Sequence, residues 1–164
     1  TGKREGRTML RKFLYLVLIV AGLLAGVFGY SVTRADFTTD DGASHQWREY
    51  EGQWVVVNYF AEWCAPCLRE IPELNDFYQK NTPEVPMFAI SFDDVSEEKL
   101  AQLKREFAIK FPLIAQLEQP LPMTRPNSLP ATFIIGPDGT VKKQLLGEQS
   151  AASLRRAIDI LKTL

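Results

Sequence analysis

Apolar and polar positions divide the chain into segments of different period. From Phe13 to Thr33 (FLYLVLIVAGLLAGVFGYSVT) there is no charged residue, and apolar side chains fall on every helical face, not along one stripe. As a helix, those 21 residues would span about 31 Å, the thickness of a bilayer's hydrocarbon core. A cleaved signal peptide has a shorter apolar core, about 7–15 residues, ending in a small-x-small site. The nearest candidate here, Thr33-Arg34-Ala35, has arginine in the middle. Residues 13–33 are therefore expected to be an uncleaved transmembrane anchor, preceded by a stub at 1–12. The polar, turn-rich stretch 34–46 reads as a linker.

Beyond it the period alternates between strand and helix. Trp54–Phe60 (WVVVNYF) and Pro86–Phe92 (PMFAISF) are β-branched or aromatic runs that predict buried strands. Between them, Ile71, Leu74 and Tyr78 form a helical stripe over Ala65–Lys80. Ser96 caps a second helix running to about Ile109, with Leu100, Leu103 and Phe107 on one face. Ala131–Ile135 and Val141–Leu146 predict two strands joined by the tight turn Pro137-Asp138-Gly139. Ser150 caps a last helix with Leu154, Ala157, Ile158 and Leu161 inward. Residues 110–130 contain Pro112, Pro120, Pro122, Pro126 and Pro130, and predict no regular element. The order β-α-β-α-β-β-α over a domain at 47–164 predicts an α/β fold: a central mixed sheet with helices on both faces.

Charge adds a direction. The chain of 164 residues is nearly neutral, at −1, but residues 1–12 carry net +4 and residues 35–164 net −6. Basic residues before the apolar run place the N-terminus in the cytoplasm and the acidic domain across the membrane. The same balance gives no footprint for a nucleic-acid partner.

Both cysteines fall in Trp63-Cys64-Ala65-Pro66-Cys67, after a predicted strand and at the start of a helix. A helix N-terminus offers unpaired N–H groups and the positive end of the macrodipole, which favour thiolate over thiol. The i, i+3 spacing brings the sulfurs within bonding reach, so Cys64 can attack a disulfide and Cys67 can resolve the product. Cys64, nearer the helix end, is the expected nucleophile. A structural disulfide would close too short a loop to stabilise much. A zinc site needs four ligands, and the chain has only these cysteines and His45 besides carboxylates. Leu68 stands where a c-type haem site needs histidine. No metal and no cofactor beyond the Cys64–Cys67 pair is expected. Pro66 lacks an N–H for the thiolate and neither intervening residue is charged, so the expected potential lies toward −270 mV, not −120 mV.

VVVNYFAEWCAPCLREIPEL resembles the active-site strand, loop and helix of thioredoxin-like proteins, above all the membrane-anchored TlpA/ResA/CcmG-type disulfide reductases of bacteria. SLPATFIIGPDGTV resembles that family's second landmark, a cis-proline followed by a strand and an Asp-Gly hairpin. The resemblance covers roughly residues 50–164 and implies a thioredoxin-like fold. It makes Cys64 and Cys67 the nucleophilic and resolving cysteines, and Pro130 the cis-proline that holds substrate backbone together with Leu129. Trp63 matches the aromatic residue that shields the site, and Pro72 a proline that kinks the active-site helix. Glu70 matches an acid that moves protons or tunes the thiols; the alternative is a solvated acid favoured by the helix dipole. Asn58 stands where classical thioredoxins have a buried Asp, which shifts acid–base duty toward Glu70. The proline-rich PLPMTRPNS replaces a helix that family members carry before the cis-proline, and should lie near Pro130.

The resemblance implies a protein disulfide reductase on the periplasmic side of a bacterial inner membrane. Its partners would be client proteins with disulfides or thiols, apocytochrome c among them, and a membrane thiol-electron transporter as donor. Residues 13–33 would hold it in the lipid bilayer. The competing readings are a Cu(I)-binding module using the two thiolates, a thiol oxidase, and a redox-inactive adaptor.

Overall fold

The computed structural model describes residues 2–164, with side chains at 12–27, 29 and 34–164. The chain divides into two compact units, Thr1–Arg34 and Ala35–Leu164.

The first unit is one helix, α1 (Gly2–Thr33). Its described apolar side chains, from Phe13 to Val27, are exposed on all sides. Among the described residues no helix is long and apolar enough to cross a membrane. The expected anchor at 13–33 lies partly outside them, because the side chains at 28 and 30–33 are not described.

The second unit is built on a seven-stranded mixed sheet. In chain order its elements are β1 (Phe37–Thr39), β2 (Ser44–His45), a 3-10 turn η1 (Trp47–Tyr50), β3 (Val55–Phe60), α2 (Ala65–Asn81), β4 (Met87–Ser91), α3 (Glu97–Glu106), β5 (Leu113–Leu117), β6 (Ala131–Ile135), β7 (Val141–Leu146) and α4 (Ala151–Leu161). The strand order is β2-β1-β5-β4-β3-β6-β7. β3, β4 and β5 run parallel, while β6 and β7 return antiparallel beside β3, and β1 runs antiparallel to β5. Each predicted strand and helix of 54–161 forms, with ends shifted by a few residues at most. β5 is the addition: Leu113 and Ile114 are buried in a segment that the flanking prolines had marked as irregular.

The expected linker at 34–46 is corrected. Its residues fold into the sheet as β1 and β2, because Phe37 supplies an apolar anchor in an otherwise polar stretch. Phe37 is fully buried against Trp47, Phe88 and the His45 ring. Asp40 accepts the Leu113 N–H and pairs with Lys104. His45, within the expected linker, bridges Tyr50 Oη and Thr39 Oγ1 through its two ring nitrogens. Phe37→Ala should therefore cost about 3–5 kcal/mol, measured by urea unfolding of Ala35–Leu164. A change below 1 kcal/mol would mean that this edge is not part of the cooperative fold.

The expectation of helices on both faces is also corrected. Strand side chains alternate, and Val56, Ala89, Leu113 and Ile134 pack with Ile71, Leu74 and Phe77 of α2, Leu100 and Leu103 of α3, and Leu154 and Ile158 of α4. All three helices share that face. β3→β4→β5 steps the same way across the sheet twice, and right-handed crossovers then put α2 and α3 on the same side. The opposite face (Val55, Val57, Tyr59, Phe88, Ile114, Phe133, Ile135) is covered by Trp47 and Tyr50 of η1 and by Leu121, Met123 and Leu129 of the proline-rich segment. Prolines at 120, 122, 126 and 130 bar a helix there, so irregular backbone covers the sheet.

Candidate active site

The site sits where β3 ends and α2 begins. Cys64 is the N-cap of α2, and its Sγ accepts the Cys67 N–H at 3.3 Å. Pro66 falls in the first turn, where a missing N–H leaves no helical bond unmade. Cys64 and Cys67 are joined in a disulfide with their Cα atoms 5.3 Å apart. Cys64 is 5% exposed and Cys67 is sealed. An incoming group therefore reaches Cys64, as its place at the helix end predicts, although the pair is more enclosed than a surface turn implies. Pro72, inside α2, leaves the Leu68 carbonyl without its i+4 donor.

Glu70 lies one helical turn beyond Cys67, on the same face of α2. It is only 2% exposed, which rules out the solvated reading. Its Oε1 accepts from Asn58 Nδ2 and its Oε2 from the Gln149 N–H, both at 2.8 Å. Burial pushes its pKa up to about 7. The Gln149 and Asn58 donors pull it down against that, and the neighbouring Glu148 pushes it up slightly. A carboxyl poised there can both give and take a proton near neutrality.

The Leu129–Pro130 bond is cis. Ala131 pairs with Tyr59 across β6 and β3, so Pro130 falls at the end of β3 from which the cysteine loop departs. Pro130 is buried and its carbonyl accepts the Gly147 N–H at 2.9 Å. Leu129 is half-buried against the cluster that contains both cysteines. The fold thus brings Cys64, Cys67, Leu129 and Pro130 to the end of β3 from which α2 departs, with Glu70 one turn further along α2.

Trp63 stands differently. It is 65% exposed, with Nε1–H donating to Asp93 Oδ2 at 2.7 Å and its ring perpendicular to Phe92. Arg125, from the proline-rich segment, lies 3.7 Å over the Phe92 ring and donates to the Phe92 carbonyl at 2.7 Å. Asp93, just beyond the end of β4, is thus the anchor of Trp63. A cleft of about 450 Å³ adjoins them, lined by Tyr59, Ile90, Phe92, Asp94, Leu117 and Arg125 among others. Among the described residues no group of three or more His, Cys, Asp or Glu side chains could hold a metal ion.

Sequence reasoning missed Thr132 and Gln149, both tied to the Glu70 carboxylate or its donor. Thr132 carried a signal: with β3 and β6 antiparallel, Asn58 and Thr132 are direct partners. Gln149 carried none, because it contributes a backbone N–H that any residue except proline supplies.

A sequence model of the AhpC/TSA family matches residues 29–144. Two curated relatives are named thiol-disulfide oxidoreductase ResA. The one from Geobacillus thermodenitrificans (strain NG80-2) is 27% identical, with 98% of this chain and 99% of the relative covered. The one from Geobacillus kaustophilus (strain HTA426) is 28% identical over the same shares. Among solved structures, a thiol:disulfide interchange protein of the thioredoxin family from Chlorobium tepidum TLS superposes with a TM-score of 0.63 at 21% identity, covering 78% of this chain and 94% of that one. The architecture is thioredoxin-like.

Proposed function

The chain belongs to the AhpC/TSA family, and from that premise we propose that it is a thiol–disulfide oxidoreductase that reduces disulfides in client proteins from a membrane anchor. One observation carries this reading: the Cys64–Cys67 disulfide caps a helix whose next inward turn carries the buried Glu70. The relatives' name, thiol-disulfide oxidoreductase, supports the exchange chemistry.

The chemistry follows from the geometry. In the dithiol form, Cys64 thiolate attacks one sulfur of a client disulfide. A Cys64–client disulfide forms and one client thiolate leaves. Cys67 then loses its proton to the Glu70 carboxylate and attacks Cys64 Sγ, so the Cys64–Cys67 bond forms and the second client sulfur leaves. Two electrons pass to the client, whose sulfurs end as thiols. Recharging runs backwards: one thiolate of a donor dithiol attacks Cys64 Sγ, Cys67 departs and takes the Glu70 proton, and the donor's second thiolate then attacks the donor sulfur bonded to Cys64, releasing Cys64 and leaving the donor as a disulfide. No cofactor enters, since the cysteine pair carries both electrons.

Location and partners extend the same proposal. The charge-free run 13–33 behind a basic stub, with its described apolar side chains exposed, supports a single membrane span with the catalytic unit in the periplasm of a bacterium. An oxidising compartment requires a steady electron source, for which a membrane thiol-electron transporter is suited. The sequence resemblance to cytochrome-maturation reductases makes apocytochrome c the proposed client.

Trapping tests the reading. Cys67→Ser should leave Cys64 locked to its clients in the native host, and mass spectrometry of those adducts should return secreted thiol proteins. No Cys64-dependent adduct would overturn it. Equilibration with dithiothreitol buffers should give a potential near −270 mV, and a value near −120 mV would reverse the direction to thiol oxidase.

A further inference from the structure

Asn58 sits at the middle of β3 on the helix-facing side, between Val56 and Phe60, and is 1% exposed. A primary amide in an apolar interior must satisfy its hydrogens. Asn58 Nδ2 spends one on Glu70 Oε1 at 2.8 Å and the other on Thr132 Oγ1 at 3.0 Å. Thr132, across the ladder, is fully buried. The amide nitrogen is thus held between a carboxylate and a hydroxyl, with both of its hydrogens committed.

This arrangement suits one protonation state. When Glu70 is ionised it accepts only, and the amide must present Nδ2. To accept from a protonated Glu70, the amide would have to turn by 180° and carry both Nδ2 hydrogens away from their acceptors, Glu70 Oε1 and Thr132 Oγ1. As an acceptor, the Thr132 hydroxyl oxygen thus favours the orientation in which Nδ2 faces the carboxylate. The Gln149 N–H holds the other carboxylate oxygen at 2.8 Å.

We infer that Asn58 and Thr132 are positioning residues for Glu70, with the Thr132 hydroxyl supplying the acceptor that keeps the amide turned to favour the ionised carboxylate. This rests on the proposed exchange reaction only in giving Glu70's proton a use; the network itself is independent of it. The surroundings leave few other controls. On α2 the ionisable neighbours are the cysteines when reduced, Glu73, which accepts the Ala151 N–H, and Arg69. From the β7–α4 connection comes Glu148, paired with Arg69. The strand residues that reach the carboxylate and its donor, Asn58 of β3 and Thr132 of β6, are neutral.

Thr132→Val separates this from packing. The two side chains have nearly the same shape, but valine offers no acceptor. The second Nδ2 hydrogen then has no acceptor, so nothing besides the carboxylate itself holds the amide in the orientation that donates to Glu70, and the bond that favours the ionised form weakens. The protonated state gains, and Glu70 should titrate higher. Thr132→Ser keeps the hydroxyl and should keep the parental titration. The measurement is the carboxyl 13C shift of Glu70 against pH in the oxidised protein, with Glu70→Gln assigning the resonance. The expected result is a midpoint raised by about one pH value in Thr132→Val, a tenfold gain in proton affinity, with Thr132→Ser superimposed on the parent. A Thr132→Val midpoint unchanged from the parent, or Thr132→Ser moving as far as Thr132→Val, would overturn the inference. The thiol-independent readout leaves the exchange reaction to be judged by its own assays. If Thr132→Val unfolds, Asn58→Asp supplies the second measurement. Two carboxyls then share one proton in place of an amide donor, and a pair losing both protons below neutrality would equally overturn the inference.

Discussion

Cys64→Ser should reduce disulfide exchange to the uncatalysed level, a loss of at least about 10³-fold, with the fold intact. The reason lies in the two duties of Cys64. Its sulfur is the atom an incoming disulfide or thiol can reach, and a serine hydroxyl cannot break or form a sulfur–sulfur bond. Its other duty is to cap α2 by accepting the Cys67 N–H. Serine is among the best N-cap residues and can accept the same bond. Removing the disulfide releases a loop of only four residues, worth roughly 2 kcal/mol in the chain-entropy account. Activity should therefore vanish while the circular dichroism and the cooperative unfolding transition persist. Cys67→Ser should behave differently, retaining the first attack and accumulating mixed disulfide. An insulin-reduction assay checks the first variant and non-reducing electrophoresis the second. Residual turnover in Cys64→Ser above a few per cent would remove Cys64 from the nucleophile's role.

The site was more legible than its setting. Cys64 and Cys67 stand out by their spacing, while Glu70 and Pro130 were singled out by the resemblance of two short motifs to a known family. The rest depended on contacts distant in sequence. Phe37 looks like one apolar residue in a polar tether, and Phe88 on β4 and Leu117 on β5, which help draw it in, are distant in sequence. β5 itself was obscured because proline counts suppress a strand prediction, although Leu113 and Ile114 needed only two paired positions on β4 to be drawn in. The placement of all three helices on one face was in principle readable. It follows from stepping β3, β4 and β5 in one direction, but that order is itself a tertiary fact. Trp63 and Arg125 show the same limit on a smaller scale: nothing local to either residue announces that Phe92 and Asp93 link them.

The uneven coverage of the sheet bears on function. The face shared by α2, α3 and α4 carries the cysteines and Glu70, and regular helices hold those groups in fixed register. The face closed by η1 and the proline-rich segment adjoins the cleft beside Phe92. Chemistry is thus built on rigid elements, while the irregular backbone borders the surface where a client would lie.

Glu70→Gln should change both the reaction and the stability, each with a pH signature. In the oxidised protein the carboxyl titrates near 7 because burial opposes its charge. Below about pH 7 it is protonated and can neutralise Cys67 as that sulfur leaves. Above that pH it is not, so the rate of disulfide opening, corrected for the thiolate fraction of the attacking thiol, should fall as pH rises through about 7. Glutamine has no proton to give. The variant's corrected rate should be flat with pH and lower at pH 6 by on the order of 10²-fold. Stability follows from the same titration. Below 4.5, the ordinary value for glutamate, folded and unfolded chains both hold the proton and Glu70 costs nothing. Between there and about 7 the folded chain keeps a proton that the unfolded chain releases, so stability falls as pH rises. Above about 7 the folded state carries a buried charge at a full cost of about 3 kcal/mol. Glu70→Gln removes that cost, so its stability relative to the parent should rise by that amount between pH 4.5 and pH 8. Urea unfolding of the oxidised proteins at the two pH values checks it. A difference between variant and parent that is the same at both would show that Glu70 is not held near neutrality, and its part in moving the Cys67 proton would go with it.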